Sequence, residues 1–138
     1  MFFNKKNKEE NISNLVKIAA LLIHAAKIDQ NYSIEEEQII KKTLVSLGAK
    51  QSDLDNLITK ASKSEENANQ ILDFTREIKN LEEMDKIKII KSLWKIIYSN
   101  KDADIYETNL MRRLAGLLYI DSKVMGDIKE EIKKEYLL

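Results

Sequence analysis

The chain has no cysteine and no proline, and only three glycines among its 138 residues. Without cysteine there can be no disulfide, thiolate zinc site, iron–sulfur cluster or cysteine nucleophile. The lack of proline and near-lack of glycine remove the two strongest helix breakers. Gly48, Gly116 and Gly126 stand apart, so no glycine-rich phosphate loop exists. A single histidine, His24, supports neither a nucleophile–base pair nor a histidine metal site. Enzymatic activity is therefore not expected. Neither sign of charge prevails, with 23 basic against 23 acidic residues, and no nucleic-acid partner is expected. Long apolar runs are missing as well. IAALLIHAA, residues 18–26, falls far short of the ~20 residues of a bilayer span, and MFFNKKNKEE lacks the apolar core of a secretory signal. The expectation is a cytoplasmic protein without a membrane span.

What is abundant is Ile, Leu, Lys, Glu and Asn, a mixture that favours helix throughout. Residues 1–10 are expected to form a flexible tail and residues 11–138 one helical domain, large enough for a proper core. Phe2 and Phe3, followed by Lys5, Lys6 and Lys8, leave open a contact with an anionic membrane surface. A first helix is expected over residues 13–28, apolar on nearly every side and so surrounded by neighbours. His24 on that helix reads as packed or partly exposed rather than as a ligand. Ser33-x-x-Glu36 is a capping box opening a second helix, which Gly48 ends as a left-handed cap.

A third helix should start at Ser52, with residues 59–70 forming a loop or frayed helix end. A fourth carries Ile71, Leu72, Phe74 and Ile78, and Asn80-x-x-Glu83 should cap a fifth with Trp94 as a core anchor. Asp104-x-x-Glu107 opens a sixth, whose buried face holds Leu110, Met111, Leu114 and Leu118. The last opens near Asp121 or Ser122. A shift of 71 positions (104 minus 33) lays Ile18 on Ile89, Leu22 on Leu93, Ser33 on Asp104, Glu36 on Glu107 and Leu47 on Leu118 without a gap. The expected fold is all-α, a compact bundle of about seven helices built from two pseudo-symmetric helix–turn–helix units, with helix four as the bridge.

The two inter-helix turns read Asp29-x-Asn31-x-Ser33 and Asn100-x-Asp102-x-Asp104. Oxygen ligands at alternate positions are how a calcium loop begins, yet the sixth position is Ile34 or Ile105 and the twelfth Ile40 or Met111. Glycine and glutamate are required there, so an EF-hand is excluded. Two compatible readings remain. In one, Ser33, Glu36, Asp104 and Glu107 are helix caps, a sufficient reason for their identity at about 1 kcal/mol each. In the other, Asp29, Asn31 and Glu36 from one turn and Asn100, Asp102, Asp104 and Glu107 from the other also supply oxygens to a divalent cation, calcium or magnesium.

LWKIIYSNKDADIYETNLMRRLAGLL, with KIDQNYSIEEEQII earlier, resembles the tellurite-resistance TerB family and its TerB-like relatives. Members carry in each half an acidic turn of the type Ala-Asp-Gly-Glu-x-Asp-x-x-Glu between two helices. The second turn is usually preceded by Leu-Trp and followed by a basic pair. Those elements fall here on Leu93-Trp94, Asp102, Asp104, Tyr106-Glu107 and Arg112-Arg113, and in the first half on Asp29 and Glu36. Asn100, Lys101 and Gln30 stand where the family has Asp, Gly and Gly. The resemblance implies a helical, non-enzymatic module whose acidic turns bind metal. It also implies a protein partner, membrane-associated in relatives, within a stress-response assembly. No His-Pro-Asp motif exists, so J-domain activity is not implied. A second expectation, independent of any ion, is a domain that binds a partner helix in an apolar groove.

Overall fold

The computed structural model describes residues 8–28, 32–68, 70–99 and 105–137, with side chains over 11–28, 32–68, 70–99 and 108–136. The described residues form seven α-helices and no strand: α1 (Lys8–Lys27), α2 (Ile34–Ser46), α3 (Leu54–Asn67), α4 (Leu72–Ile78), α5 (Glu83–Ser99), α6 (Ile105–Leu117) and α7 (Ser122–Leu137). A single 3-10 turn, Gln51–Asp53, leads into α3.

The helix α1 occupies the centre. Leu15 and every residue from Ile18 to Ile23 are buried, as are Ala25 and Ala26, and α1 packs on α2, α3, α4 and α5. Alanines on this helix let its neighbours approach closely, while the isoleucines and leucines fill the space between them. The second central helix, α5, buries Ile89, Ile90, Leu93, Trp94, Ile96 and Ile97 against α1, α2 and α7. Trp94 is 3% exposed, a core anchor as its sequence context implies. Phe2 and Phe3 lie outside the described residues.

The internal repeat is visible in backbone detail. α2 and α6 are both 13 residues long and start 71 residues apart (105 minus 34). Both end in the same cap: Ala49 N–H donates to the Leu44 carbonyl and Ile120 N–H to the Ala115 carbonyl, each at 2.9 Å. The residue that turns the chain is left-handed in both, Gly48 at φ 109° and Tyr119 at φ 56°. Paired positions share burial too, as in Ile18 and Ile89, Leu22 and Leu93, Leu57 and Ile128, Ala61 and Ile132. Helices α1–α2–α3 are thus repeated as α5–α6–α7, and α4 bridges them.

Three boundaries differ from the sequence expectation. α1 begins at Lys8, five residues before Ser13 (13 minus 8). α3 continues to Asn67 through the polar stretch expected to fray, because Ala61 is fully buried and Glu65 is tied to α1. α5 begins at Glu83, so Asn80-x-x-Glu83 is not its capping box. Asn80 instead belongs to the turn that closes α4, donating its N–H to the Glu77 carbonyl, while the Glu82 carbonyl accepts the first helical bonds of α5. At α7 the expected start holds, with the Asp121 carboxylate accepting from Lys123 N–H at 2.7 Å.

Candidate functional site

The direction of α2 against α5 decides where the two acidic turns attach. The Thr43 and Ser92 hydroxyls are hydrogen-bonded to each other, and Lys88 Nζ donates to the Ser46 carbonyl at 3.1 Å. Moving forward along α2 therefore means moving backward along α5. The first turn of α2, just after the first acidic turn, lies beside the last turn of α5, just before the second. On the other flank, His24 and Ile28 at the end of α1 form a cleft with Asn109, Leu110 and Arg113 of α6. The end of α3 joins them, since Glu65 accepts a bond from Lys27 Nζ at 3.1 Å and lies 3.5 Å from His24 Nδ1. One end of the bundle thus collects the last turns of α1, α3 and α5 and the first turns of α2 and α6.

That end brings carboxylates near three tyrosines. Burial pushes the Tyr32 hydroxyl up to about 12, and the nearby Glu37 and Glu36 carboxylates push in the same direction. Tyr98, in the last turn of α5, is raised by burial and by Glu130. Tyr136, in the last turn of α7, is raised by burial and then by Glu35 and Glu135, which brings the end of α7 to the same place. Carboxylates raise a phenol because they disfavour a second negative charge nearby. Helix C-termini add partial negative charge of their own, and the first turns of α2 and α6 add the opposite sign.

Of the candidate ligands, the described side chains include only Glu36. It is fully buried, and the capping box expected of it is formed: Ser33 N–H donates to Glu36 Oε1 at 2.9 Å and Glu36 N–H donates to Ser33 Oγ at 3.1 Å. Asp29, Asn31, Asn100, Asp102 and Asp104 lie outside the described residues, as does the side chain of Glu107. Among the described residues no group of three His, Asp or Glu side chains is placed to hold a metal ion. No described helix is long and apolar enough to cross a membrane.

His24 is partly exposed, as its sequence context implies, and it gains a partner that the sequence did not suggest. Glu65 sits in the stretch expected to be a loop or frayed helix end, 41 positions away (65 minus 24), and the ring of His24 also tilts against Phe74. Reading the stretch as helix would have put Glu65 one turn beyond buried Ala61, on the side that faces α1. The tyrosines carry no such signal, because burial, the larger cause for each, depends on how the helices pack.

Compared with known proteins, the chain matches no curated protein and no solved structure. A family model described as "Tellurite resistance protein TerB" matches residues 15–130, a span that starts in the first turns of α1 and ends within α7. Helices, repeat and family model agree, and the chain belongs to the tellurite resistance protein TerB family.

Proposed function

We propose that this domain is a non-enzymatic TerB-like scaffold or adaptor in a stress-response assembly of the tellurite-resistance type. Its acidic turns together hold a divalent cation, calcium or magnesium, and it works in the cytoplasm with a protein partner at the inner face of the membrane. The observation that carries the cation reading is the antiparallel run of α2 against α5, which puts the residues flanking both turns at one end of the bundle. The upward push that Glu35, Glu36, Glu37, Glu130 and Glu135 exert on three tyrosines at that end fits the same reading. Asp29, Asn31, Asn100, Asp102, Asp104 and Glu107 would supply the oxygen donors that hard cations take. Glu36 contributes through the cap and the field, since one of its oxygens is engaged at the head of α2. Zinc fits less well, because there is no thiol and the one imidazole faces Glu65.

The test is a melting curve with calcium or magnesium against EDTA. A cation at 100 times its Kd adds about 2.7 kcal/mol. At about 2.1 cal/mol/K of unfolding entropy per residue over 138 residues, the midpoint should rise by about 9 °C. Asp29→Ala with Asp102→Ala should abolish the rise. A wild type that melts identically in both buffers removes the cation and leaves the second reading, an ion-independent domain that grips a partner helix. The cleft beside Arg113 favours that reading, and partner binding would then be unchanged by EDTA.

A further inference from the structure

The cleft between the last turn of α1 and the first half of α6 has a volume of about 480 Å³. Ile28 and Leu110 form its apolar walls, with His24, Asn109 and Arg113 on the rim. Of the cations here, Lys27 is engaged by Glu65, which also faces His24. Arg113 is exposed and has no ion pair among the described residues. The occupant that matches is therefore an aliphatic side chain with a carboxylate next to it.

The chain itself displays that combination. Ile34, the first residue of α2, is 77% exposed, more than any other large apolar side chain described, and Glu35 beside it is exposed too. Neither serves the core. Ile34 belongs to the same end of the bundle as the cleft, since α2 starts beside the end of α5 while the end of α1 meets α6. Two patches on one end face can be exchanged between copies by a twofold axis that bisects them, so each contact is made twice and the assembly closes.

We propose that this cleft docks the first turn of α2 from a second copy of the chain, Ile34 entering between Ile28 and Leu110 while Glu35 pairs with Arg113. This deepens the groove reading above by naming the occupant, and it needs no cation. The contact is small, which makes the dimer weak and rapidly exchanging.

Sedimentation velocity in EDTA, from micromolar protein up to about 1 mM, tests it. The weight-average mass of the wild type should climb with concentration toward that of a dimer. Ile34→Ser and Arg113→Glu should each stay monomeric, with far-UV circular dichroism unchanged because both positions are exposed. The double variant Glu35→Arg with Arg113→Glu should recover association, since it reverses the pair at both contacts. A monomeric wild type overturns the self-docking. So does a dimer indifferent to Ile34→Ser and Arg113→Glu, or a charge reversal that fails to restore it. EDTA keeps the outcome separate from the cation reading, which is decided by the melting shift. Hetero-partner binding that Arg113→Glu abolishes, in a protein monomeric at every concentration, would keep the groove and reject the second copy.

Discussion

Replacing the two left-handed residues that end α2 and α6 should give opposite results, and the difference can be worked out. A left-handed conformation costs an L-residue about 1–2 kcal/mol, a cost glycine escapes. Gly48, at φ 109°, lies further from the left-handed minimum than Tyr119 at φ 56°, so Gly48→Ala should lose at least about 1–2 kcal/mol. Tyr119 bears that cost in the native chain. Its ring, 70% exposed, has Lys79 Nζ and Lys86 Nζ each 5.9 Å from the centroid. Exposed cation–π contacts are worth about 0.5 kcal/mol each, so the two return about 1 kcal/mol. Tyr119→Gly should then be close to neutral, relief of the backbone offsetting loss of the ring. Tyr119→Ala should lose about 1 kcal/mol, because the ring goes and the strain stays. With 138 residues, 1 kcal/mol moves the melting midpoint by about 3 °C. Calorimetry on the three variants reads the order directly: Tyr119→Gly near wild type, Tyr119→Ala lower, Gly48→Ala lowest. A rise of 3 °C or more for Tyr119→Gly would show that the lysines contribute nothing, and a neutral Gly48→Ala would refute the strain argument altogether.

The repeat predicts that Leu22→Ala and Leu93→Ala, both fully buried at equivalent places, each cost about 2–5 kcal/mol in urea unfolding. Lys86 is 9% exposed and its Nζ donates to the Leu118 carbonyl at 2.9 Å, so Lys86→Met should lose about 1–3 kcal/mol with the buried stem largely retained. Tyr32 should ionise late, near pH 12, in an alkaline absorbance titration. Its folded pKa lies above the unfolded value of 10.0, so its contribution to stability is complete below pH 10 and is lost as pH rises from 10 to 12. A saturating divalent cation beside Glu36 and Glu37 should bring that ionisation partway down, since it cancels the carboxylate share and leaves the larger share, from burial. A titration unmoved by calcium would count against a cation at this end.

Fold class and repeat were legible because they rest on period and caps, both local. Ser33-x-x-Glu36 marked the head of α2 and Gly48 its end, since a short polar motif and a residue free of Cβ strain speak for themselves. Asn80-x-x-Glu83 looked the same and misled: the carbonyls at the end of α4 took up the Asn80 N–H first. Tyr119 gives no such signal, because a tyrosine seldom adopts the left-handed conformation that it holds here at φ 56°. Glu65 was hidden because its helical turn is held by α1 rather than by its own composition. Of the candidate site, what could be read was the capping duty of Glu36. The gathering of carboxylates near the tyrosines could not be, because it depends on which helices finish together.

That capping duty determines which residues can distinguish a cation site from a folding device. Glu36 is buried at the head of α2 with its cap formed, so any substitution there changes stability whether or not an ion binds. Asp104 and Glu107, 71 positions on, stand in the same place relative to α6 and carry the same ambiguity. Asp29 and Asp102 precede both boxes and head no helix. Those sequence positions are neither the N-cap nor the N3 position of a capping box, so the cap motif makes no use of their carboxylates. Without a cation, Asp29→Asn and Asp102→Asn should therefore leave stability unchanged. With a cation that they ligate, the same substitutions should lower the melting midpoint in calcium while sparing it in EDTA. A loss of equal size in both buffers fits neither account and would mean that these aspartates serve the fold.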